Sequence, residues 1–316
     1  MSDSDRIWAN LVHLSYNMWC DWPMPEAEAN HTAYKPFLRF DDCLWDDLVR
    51  RMAAEGLNMV VLDLGDGVRY ESHPEIAVRH AWSPARLKRE LARLRGLGLE
   101  PIPKLNFSTA HDAWLGPYSR CVSTDAYYAV CRDLIREVAQ LFGKPRFFHL
   151  GMDEETAQHQ ARFEYAVLRQ HDLWWRDLYF YFRHVEAAGC RPWVWSDYLW
   201  HHPELFWKKM PKHVLQSNWY YGFSFSRKLP HVQAYLDLDR HGYEQVPTGS
   251  NWNQERNFER TVSFCTRNLK PARLLGFMQS SWKPTLEVCR DRNVAAIEQV
   301  GRAIQWRARH TTTARG

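Results

Sequence analysis

Phe147-Phe148-His149-Leu150-Gly151-Met152-Asp153-Glu154-Glu155 opens as an apolar run and ends in three adjacent carboxylates. An apolar strand buries adjacent carboxylates only at a large desolvation cost, so the chain must surface or open into a cleft where they begin. Alternate residues of a strand share a face. The spacing therefore predicts that Phe147, His149, Gly151 and Asp153 point one way while Phe148, Leu150 and Met152 pack the other. Glu154 comes just past the strand end, where a loop can turn it back beside Asp153. Two carboxylates held close have split pKa values, which suits acid/base chemistry. The same run also fits a strand followed by a helix whose acidic first turn complements the helix dipole. The surrounding chain decides between these readings.

Upstream, a strand over residues 10–19 closes on Ser15-Tyr16-Asn17, and an irregular segment with Pro23, Pro25 and Pro36 follows. Asp41-Asp42 opens a helix with Leu44, Leu48 and Met52 on one face and Gly56 at its end. Residues 57–63 form a buried strand. Ser83-Pro84 caps a second helix carrying Leu87, Leu91 and Leu94, with Gly96 and Gly98 at its end. Residues 99–105 form the third strand, and a helix from Ser123-Thr124-Asp125 to Gly143 leads into the opening stretch as the fourth.

Downstream, a long helix is expected over residues 162–188 and a fifth strand over 191–197. A short helical piece covers 203–209, and the sixth strand 213–219. A helix over 231–241, a strand over 243–249, a helix over 255–269, a strand over 273–279 and a last helix over 286–309 complete the series, with a polar tail behind them. Strict β-then-α alternation requires parallel strands with crossovers. Eight such units predict a single-domain (β/α)8 TIM barrel over about residues 8–309, with residues 1–316 as one domain. The rival, a doubly wound open sheet, lacks its glycine-rich phosphate turn after strand one.

Composition narrows the function. The chain has 316 residues, 45% hydrophobic and 25% charged, the ordinary balance of a soluble globular protein. It has no apolar run long enough to cross a bilayer. Residues 1–6 are polar and lead straight into Ile7-Trp8 with no signal-peptide core, so a cytoplasmic location is expected. The seven cysteines are scattered without a C-x-x-C pair, which predicts buried free thiols and no zinc site of the usual spacing. Net charge is only +4 with dispersed Lys and Arg, so neither a nucleic-acid nor a membrane partner is indicated. Nothing asks for a cofactor or a resident metal, and the oligomeric state is unspecified.

The 16 Trp are the unusual figure. The C-terminal strand ends of a barrel form its active-site face. Trp195, Trp219, Trp252 and Trp282 all fall there, with Asp197, Asn218 and Asn251 close by in sequence. Trp195 and Asp197 are two apart and share a face. Pyranose rings pack their C–H faces on aromatic rings and need directed donors and acceptors for their hydroxyls, so the pattern predicts a carbohydrate pocket. Asp63 and Asp66 read as turn residues around Gly65 and Gly67. Glu155 reads as a solvent-facing start of the next segment.

His149-Leu150-Gly151-Met152-Asp153-Glu154 resembles the H-x-G-x-D-E signature of the family 20 glycoside hydrolases, the β-N-acetylhexosaminidases, and sits at the end of the fourth strand as in that family. Trp195-Ser196-Asp197 is similar to the family's W-x-D or W-x-E segment, residues 216–219 to its Q-and-W segment, and Trp282 to the Trp after its eighth strand. The single-domain branch, like hexosaminidase D, is the nearest in outline. The resemblance implies a retaining exo-glycosidase that removes terminal β-linked N-acetylhexosamine, with the substrate's own acetamido group as nucleophile. It implies Glu154 as general acid then base, and Asp153 as the group that orients the acetamido nitrogen. It implies Trp195, Trp219 and Trp282 as pocket walls, and Tyr220 or Tyr221 as the donor to the acetamido carbonyl. His149, Asp197 and Trp252 complete the expected substrate-binding set.

The sequence departs from the family at three places. Met152 replaces a glycine, strand one lacks the arginine that grips sugar hydroxyls, and Trp282 is followed by Lys283-Pro284 where the family carries Glu. Three other readings stay open: a glycosidase of this barrel type acting on a sugar without the acetamido group, a metal-dependent isomerase or hydrolase using His149, Asp153, Glu154 and Asp197, and a non-catalytic sugar-binding barrel.

Overall fold

The computed structural model describes residues 6–21 and 24–312. The polar residues 1–5, Pro23 and the end of the polar tail lie outside the described residues. Eight strands, β1 (Ile7–His13), β2 (Met59–Asp63), β3 (Glu100–Lys104), β4 (Phe147–His149), β5 (Arg191–Trp195), β6 (Leu215–Ser217), β7 (Thr248–Ser250) and β8 (Gly276–Ser280), form one parallel sheet. Their order is β6-β5-β4-β3-β2-β1-β8-β7. Parallel bridges Gln216–Gln245 and Trp219–Thr248 join the two edges. The Val246 and Thr248 amides donate to the Gln216 and Asn218 carbonyls, each at 2.9 Å. The sheet closes as a (β/α)8 TIM barrel.

Around it run α1 (Pro25–Ala29), α2 (Asp42–Ala54), α3 (Pro84–Gly96), α4 (Asp125–Leu141), α5 (His171–Ala187), α6 (Tyr198–His201), α7 (Pro203–Lys209), α8 (Pro230–Arg240), α9 (Asn257–Asn268) and α10 (Arg290–Thr312). Three begin where their sequence signals stand. The Asp41 carboxylate accepts from the amides of Cys43 (3.0 Å) and Leu44 (3.1 Å), Ser83 from Arg86 (3.2 Å) and Thr124 from Tyr127 (3.3 Å). Each such cap is worth about 1 kcal/mol. Among the described residues no helix is long and apolar enough to cross a membrane.

The alternation along β4 sorts its residues as expected. Phe147 joins the barrel interior with Ile7, Ala9, Leu11, Met59, Val61, Ile102, Trp193 and Leu215. Phe148, Leu150 and Met152 pack between sheet and helices. Above the apolar interior the register aligns His13, Asp63, Lys104 and His149 in one layer.

The expected helix over 162–188 starts only at His171. Arg169 sets that limit: its buried guanidinium pairs with Glu155 at 2.6 Å and with Asp177 at 3.3 Å, so the preceding loop lies across the barrel top. The piece after β5 is two short helices rather than one, and β1 begins three residues earlier than the sequence suggests. None of the seven cysteines is in a disulfide; five are buried, while Cys43 and Cys121 are exposed.

Candidate active site

The chain leaves β4 through a strained turn. Gly151 has φ +70°, and a Cβ there would stand 2.0 Å from Asn106 Oδ1, so only glycine fits. Met152 (φ 74°) and Glu154 (φ 56°) also occupy the left-handed region, which is costly for side-chain-bearing residues. Specific hydrogen bonds hold them there. Asn106 Oδ1 accepts from the Met152 amide at 3.1 Å, and Asn106 Nδ2 donates to Asp153 Oδ1 at 2.8 Å. Ser108 Oγ donates to the Asp153 carbonyl. The Glu154 amide donates to Asp197 Oδ2 at 2.8 Å.

This turn sets Asp153 and Glu154 around one imidazole. His111 Nε2 lies 3.3 Å from Asp153 Oδ2 and 3.3 Å from Glu154 Oε2. The Asp153 side chain is 7% exposed and that of Glu154 23%, so Glu154 is the carboxyl open to a ligand. Burial pushes the Asp153 carboxyl up, but the His111 charge, with Lys104 and the Asn106 bond, overcomes this and holds it below the usual range. Burial likewise disfavours a charged His111, and the facing carboxylates reverse that, raising it to about 10. For Asp197, burial and the neighbouring Asp153 charge act together and push the carboxyl up to about 8. At neutral pH the site thus holds an anionic Asp153, a cationic His111 and a protonated Asp197.

His149 is a buried, neutral ring. Burial, reinforced by Lys104, drives its pKa well below 6.5. Its Nδ1 accepts from the Gly151 amide at 3.0 Å, and it packs against Trp193 and Trp195 with centroids 5.0 and 4.6 Å away. Trp282 lies 5.9 Å from Trp195, 6.1 Å from Trp19 and 6.4 Å from Tyr221 between centroids. Trp219 stacks on Tyr221 at 5.0 Å. The indole nitrogens of Trp19, Trp195 and Trp282, the Tyr221 hydroxyl and Asp197 Oδ1 are buried without a hydrogen-bond partner in the protein. Buried polar atoms of this kind demand partners. An aromatic mouth lined with them suits a ligand rich in hydroxyl or amide groups.

His149, Asp153, Glu154, Trp195, Asp197, Trp219 and Trp282 therefore come together, whereas two other expected residues stand apart. Tyr220 turns outward onto Phe225 and His231, with centroids 5.4 and 6.1 Å away, and Tyr221 takes the inward place. Strand parity carries that signal, because Tyr221 is two residues from Trp219. Trp252 is 57% exposed at the rim.

Two acidic residues differ from expectation and a third, Asp66, keeps its expected place. Glu155 is buried against Arg169 and accepts from the Thr109 amide at 3.2 Å. Asp63 is no turn residue: it is buried 2.5 Å from Lys104 Nζ and 3.2 Å from His13 Nδ1. Asp66 lies in the short 3-10 turn Gly65–Gly67, where its buried carboxylate accepts from Ser15 and Asn17.

Among the described residues, the ligand atoms of His149, Asp153, Glu154 and Asp197 do not gather as the expected metal set. Three potential ligand atoms of His111, Asp153 and Glu154 do fall within 4.8 Å of one another. A cation there would have to displace the proton that both carboxylates hold on His111. His111 carries no sequence signal, because its partners lie more than forty residues away and no local spacing marks it.

No protein-family profile matches the chain, and no curated protein sequence matches it. Solved structures do. A β-N-acetylhexosaminidase from Bacteroides fragilis superposes with a TM-score of 0.62 at 15% identity, over 93% of this chain and 65% of its own. An exo-β-N-acetylglucosaminidase of family GH20 from Vibrio harveyi, in complex with N-acetylglucosamine, gives 0.63 at 14% identity, over 93% of this chain and 54% of its own. A chitobiase from Flavobacterium johnsoniae gives 0.62 at 16% identity, over 93% and 48%. The chain thus spans about half to two thirds of the length of these structures, and what it shares with them is the barrel fold of the β-N-acetylhexosaminidases.

Proposed function

We propose that this protein is a retaining exo-glycosidase that removes a terminal β-linked N-acetylhexosamine by substrate-assisted catalysis. One observation carries the proposal: a buried, anionic Asp153 stands beside a more open Glu154 in an aromatic mouth, two neighbouring carboxyls with different surroundings. The fold shared with β-N-acetylhexosaminidases supports the choice of sugar.

In this reading the sugar lies on Trp195 and Trp282. Asp153 accepts the acetamido N–H, and the Tyr221 hydroxyl donates to the acetamido carbonyl. The carbonyl oxygen attacks the anomeric carbon as the bond to the leaving oxygen breaks, and Glu154 gives that oxygen its proton. The resulting oxazolinium is neutralised by Asp153. Water then adds to the anomeric carbon, its proton passes to Glu154, and the carbon–oxygen bond to the acetamido group reopens. The mechanism needs no metal. Asp197 fixes the Glu154 backbone, and His111 ties the two carboxylates together.

The test is hydrolysis of aryl β-N-acetylglucosaminide and galactosaminide by wild type, Glu154→Gln and Asp153→Asn. Loss of general acid–base catalysis costs about 10²–10⁴-fold. Glu154→Gln is expected in that range, with Asp153→Asn also impaired. Wild-type inactivity on both substrates, with turnover of a sugar lacking the acetamido group, would refute the acetamido mechanism.

A further inference from the structure

His111 Nε2 stands where three groups meet. Asp153 Oδ2 and Glu154 Oε2 each lie 3.3 Å from it, and the three atoms fall within 4.8 Å of one another. The imidazole is 2% exposed, and neither of its nitrogens makes a hydrogen bond to the protein. Nε2 is thus equally far from two carboxylates and directed along a hydrogen bond to neither. A buried ring nitrogen of this kind calls for a partner.

The separations suit a metal ion. Zinc takes nitrogen and oxygen ligands at about 2.0–2.2 Å in a tetrahedral shell, which sets neighbouring ligand atoms about 3.3–3.6 Å apart. Both contacts of His111 Nε2 fall at that spacing. Closing the third side is left to Glu154, whose side chain is the more open of the two acids.

We propose that His111, Asp153 and Glu154 form an inhibitory zinc site. The site itself stands on geometry and donor chemistry. Its inhibitory effect rests on the reading of Glu154 as general acid and Asp153 as acceptor of the acetamido N–H, since zinc would occupy the oxygens that both tasks need.

The neighbours hold the ligands in place. Asn106 Nδ2 donates to Asp153 Oδ1 at 2.8 Å, which leaves Oδ2 for the metal. His159 Nε2 lies 3.4 Å from Glu154 Oε1, which leaves Oε2. Outer partners of this kind orient ligands and change metal affinity by about 10–100-fold. The Lys104 charge is met by Asp63 at 2.5 Å and so opposes a bound dication little. His111 releases its proton to solvent as the metal takes its place. Two carboxylates then balance the dication, and water fills the fourth position from the mouth.

The donor set separates zinc from the commoner cations. Magnesium demands an octahedral shell of oxygens and calcium about six to eight oxygens. Three protein donors, one of them an imidazole, suit neither, whereas zinc accepts imidazole and carboxylate together.

The test titrates zinc chloride into the full chain by calorimetry, with magnesium and calcium chlorides in parallel. Hydrolysis of aryl β-N-acetylglucosaminide is followed over the same concentrations. A zinc-soaked crystal, measured at the zinc absorption edge, locates the ion. One zinc is expected at the three named atoms, without comparable binding of magnesium or calcium, and with a loss of turnover that EDTA restores. His111→Gln and Glu154→Gln each remove one ligand and should weaken zinc at this site by about tenfold or more. Glu154 is the more exposed position, so its variant stays informative if the buried His111→Gln misfolds.

Exposed thiols at Cys43 and Cys121 and surface imidazoles are the competing zinc ligands. Zinc held as tightly by Glu154→Gln as by wild type, or found in the crystal only at such surface groups, would overturn the site. Comparable binding of magnesium or calcium at the three atoms would overturn its selectivity for zinc. Zinc at the three atoms with turnover intact would overturn the inhibitory role and the reading of Glu154 as the acid, and would leave the metal site standing. The binding and crystal measurements need no turnover, so they decide the site even if the proposed reaction fails.

Discussion

Asp197 shows how one side chain can position the proposed acid, Glu154, without itself reacting. Its Oδ2 holds the Glu154 amide at 2.8 Å while Glu154 sits at φ 56°. A backbone held in a sparsely populated region costs about 1–3 kcal/mol, so without the anchor Glu154 relaxes out of this turn. Asp197→Ala should lower kcat on aryl glycosides roughly 10- to 100-fold with a smaller change in KM, following about 1.4 kcal/mol per decade. Asp197→Asn keeps an acceptor oxygen and mimics the protonated acid, so it should lose far less. Its stability should respond as well. Asp197 ionises near pH 3.9 in an unfolded chain but near 8 in the fold. Folding therefore takes up a proton between these values, and stability falls as pH rises through that window. Asp197→Asn should exceed wild type in thermal stability at pH 8, with the gap closing towards pH 4. His111 works in the opposite sense, since its charge holds Asp153 low against burial. In His111→Ala the acidic limb of kcat/KM should move to higher pH; an unmoved limb would mean that Asp153 does not depend on that charge. The sequence set His149 and Asp153 on one side by strand parity and marked Glu154 through the resemblance of residues 149–154 to a family signature. It left His111 invisible, because a loop contact between residues 111 and 153 has no periodic signature.

The element that organises the site is the loop between β4 and α5. Its sequence looks like an early helix start, and propensity alone gives that answer. What overrides it is the buried guanidinium of Arg169, which ties Glu155 in the loop to Asp177 in α5 and donates to the Phe107 carbonyl at 2.8 Å. Glu155 adjoins the proposed acid, so this ion pair fixes the loop on which Glu154 is carried. Removing one partner of a buried pair costs about 3–5 kcal/mol, since the other charges remain without compensation. Arg169→Ala should accordingly lower the melting temperature by several degrees and loosen the loop, seen as faster amide exchange at residues 153–157. An Arg169→Ala protein with wild-type stability would show that the pair does not hold the loop. A sequence reader finds caps such as Asp41, Ser83 and Thr124 because the cap and the helix it starts are neighbours. The Glu155–Arg169–Asp177 link joins three separate places and emerges only from packing.

On the scale of the molecule, eight β-then-α units and a single inward parity were legible in the sequence. Alternation of apolar runs with helical spacing admits few other topologies. The closing seam was not: β6 and β7 are three residues each, and they meet through the bridges Gln216–Gln245 and Trp219–Thr248. Such short strands owe their existence to closure rather than to their own sequence. The barrel gathers an aromatic mouth and a carboxylate pair at its C-terminal face, and the proposed account of both turns on the acetamido group acting as nucleophile. The direct measurement is kcat/KM of the wild-type protein on aryl β-glucosaminides whose N-acyl group is acetyl, fluoroacetyl, difluoroacetyl or trifluoroacetyl. Fluorine withdraws electrons from the carbonyl oxygen and weakens it as a nucleophile. The account predicts a steep stepwise fall across the series, and equal rates on all four substrates would contradict it.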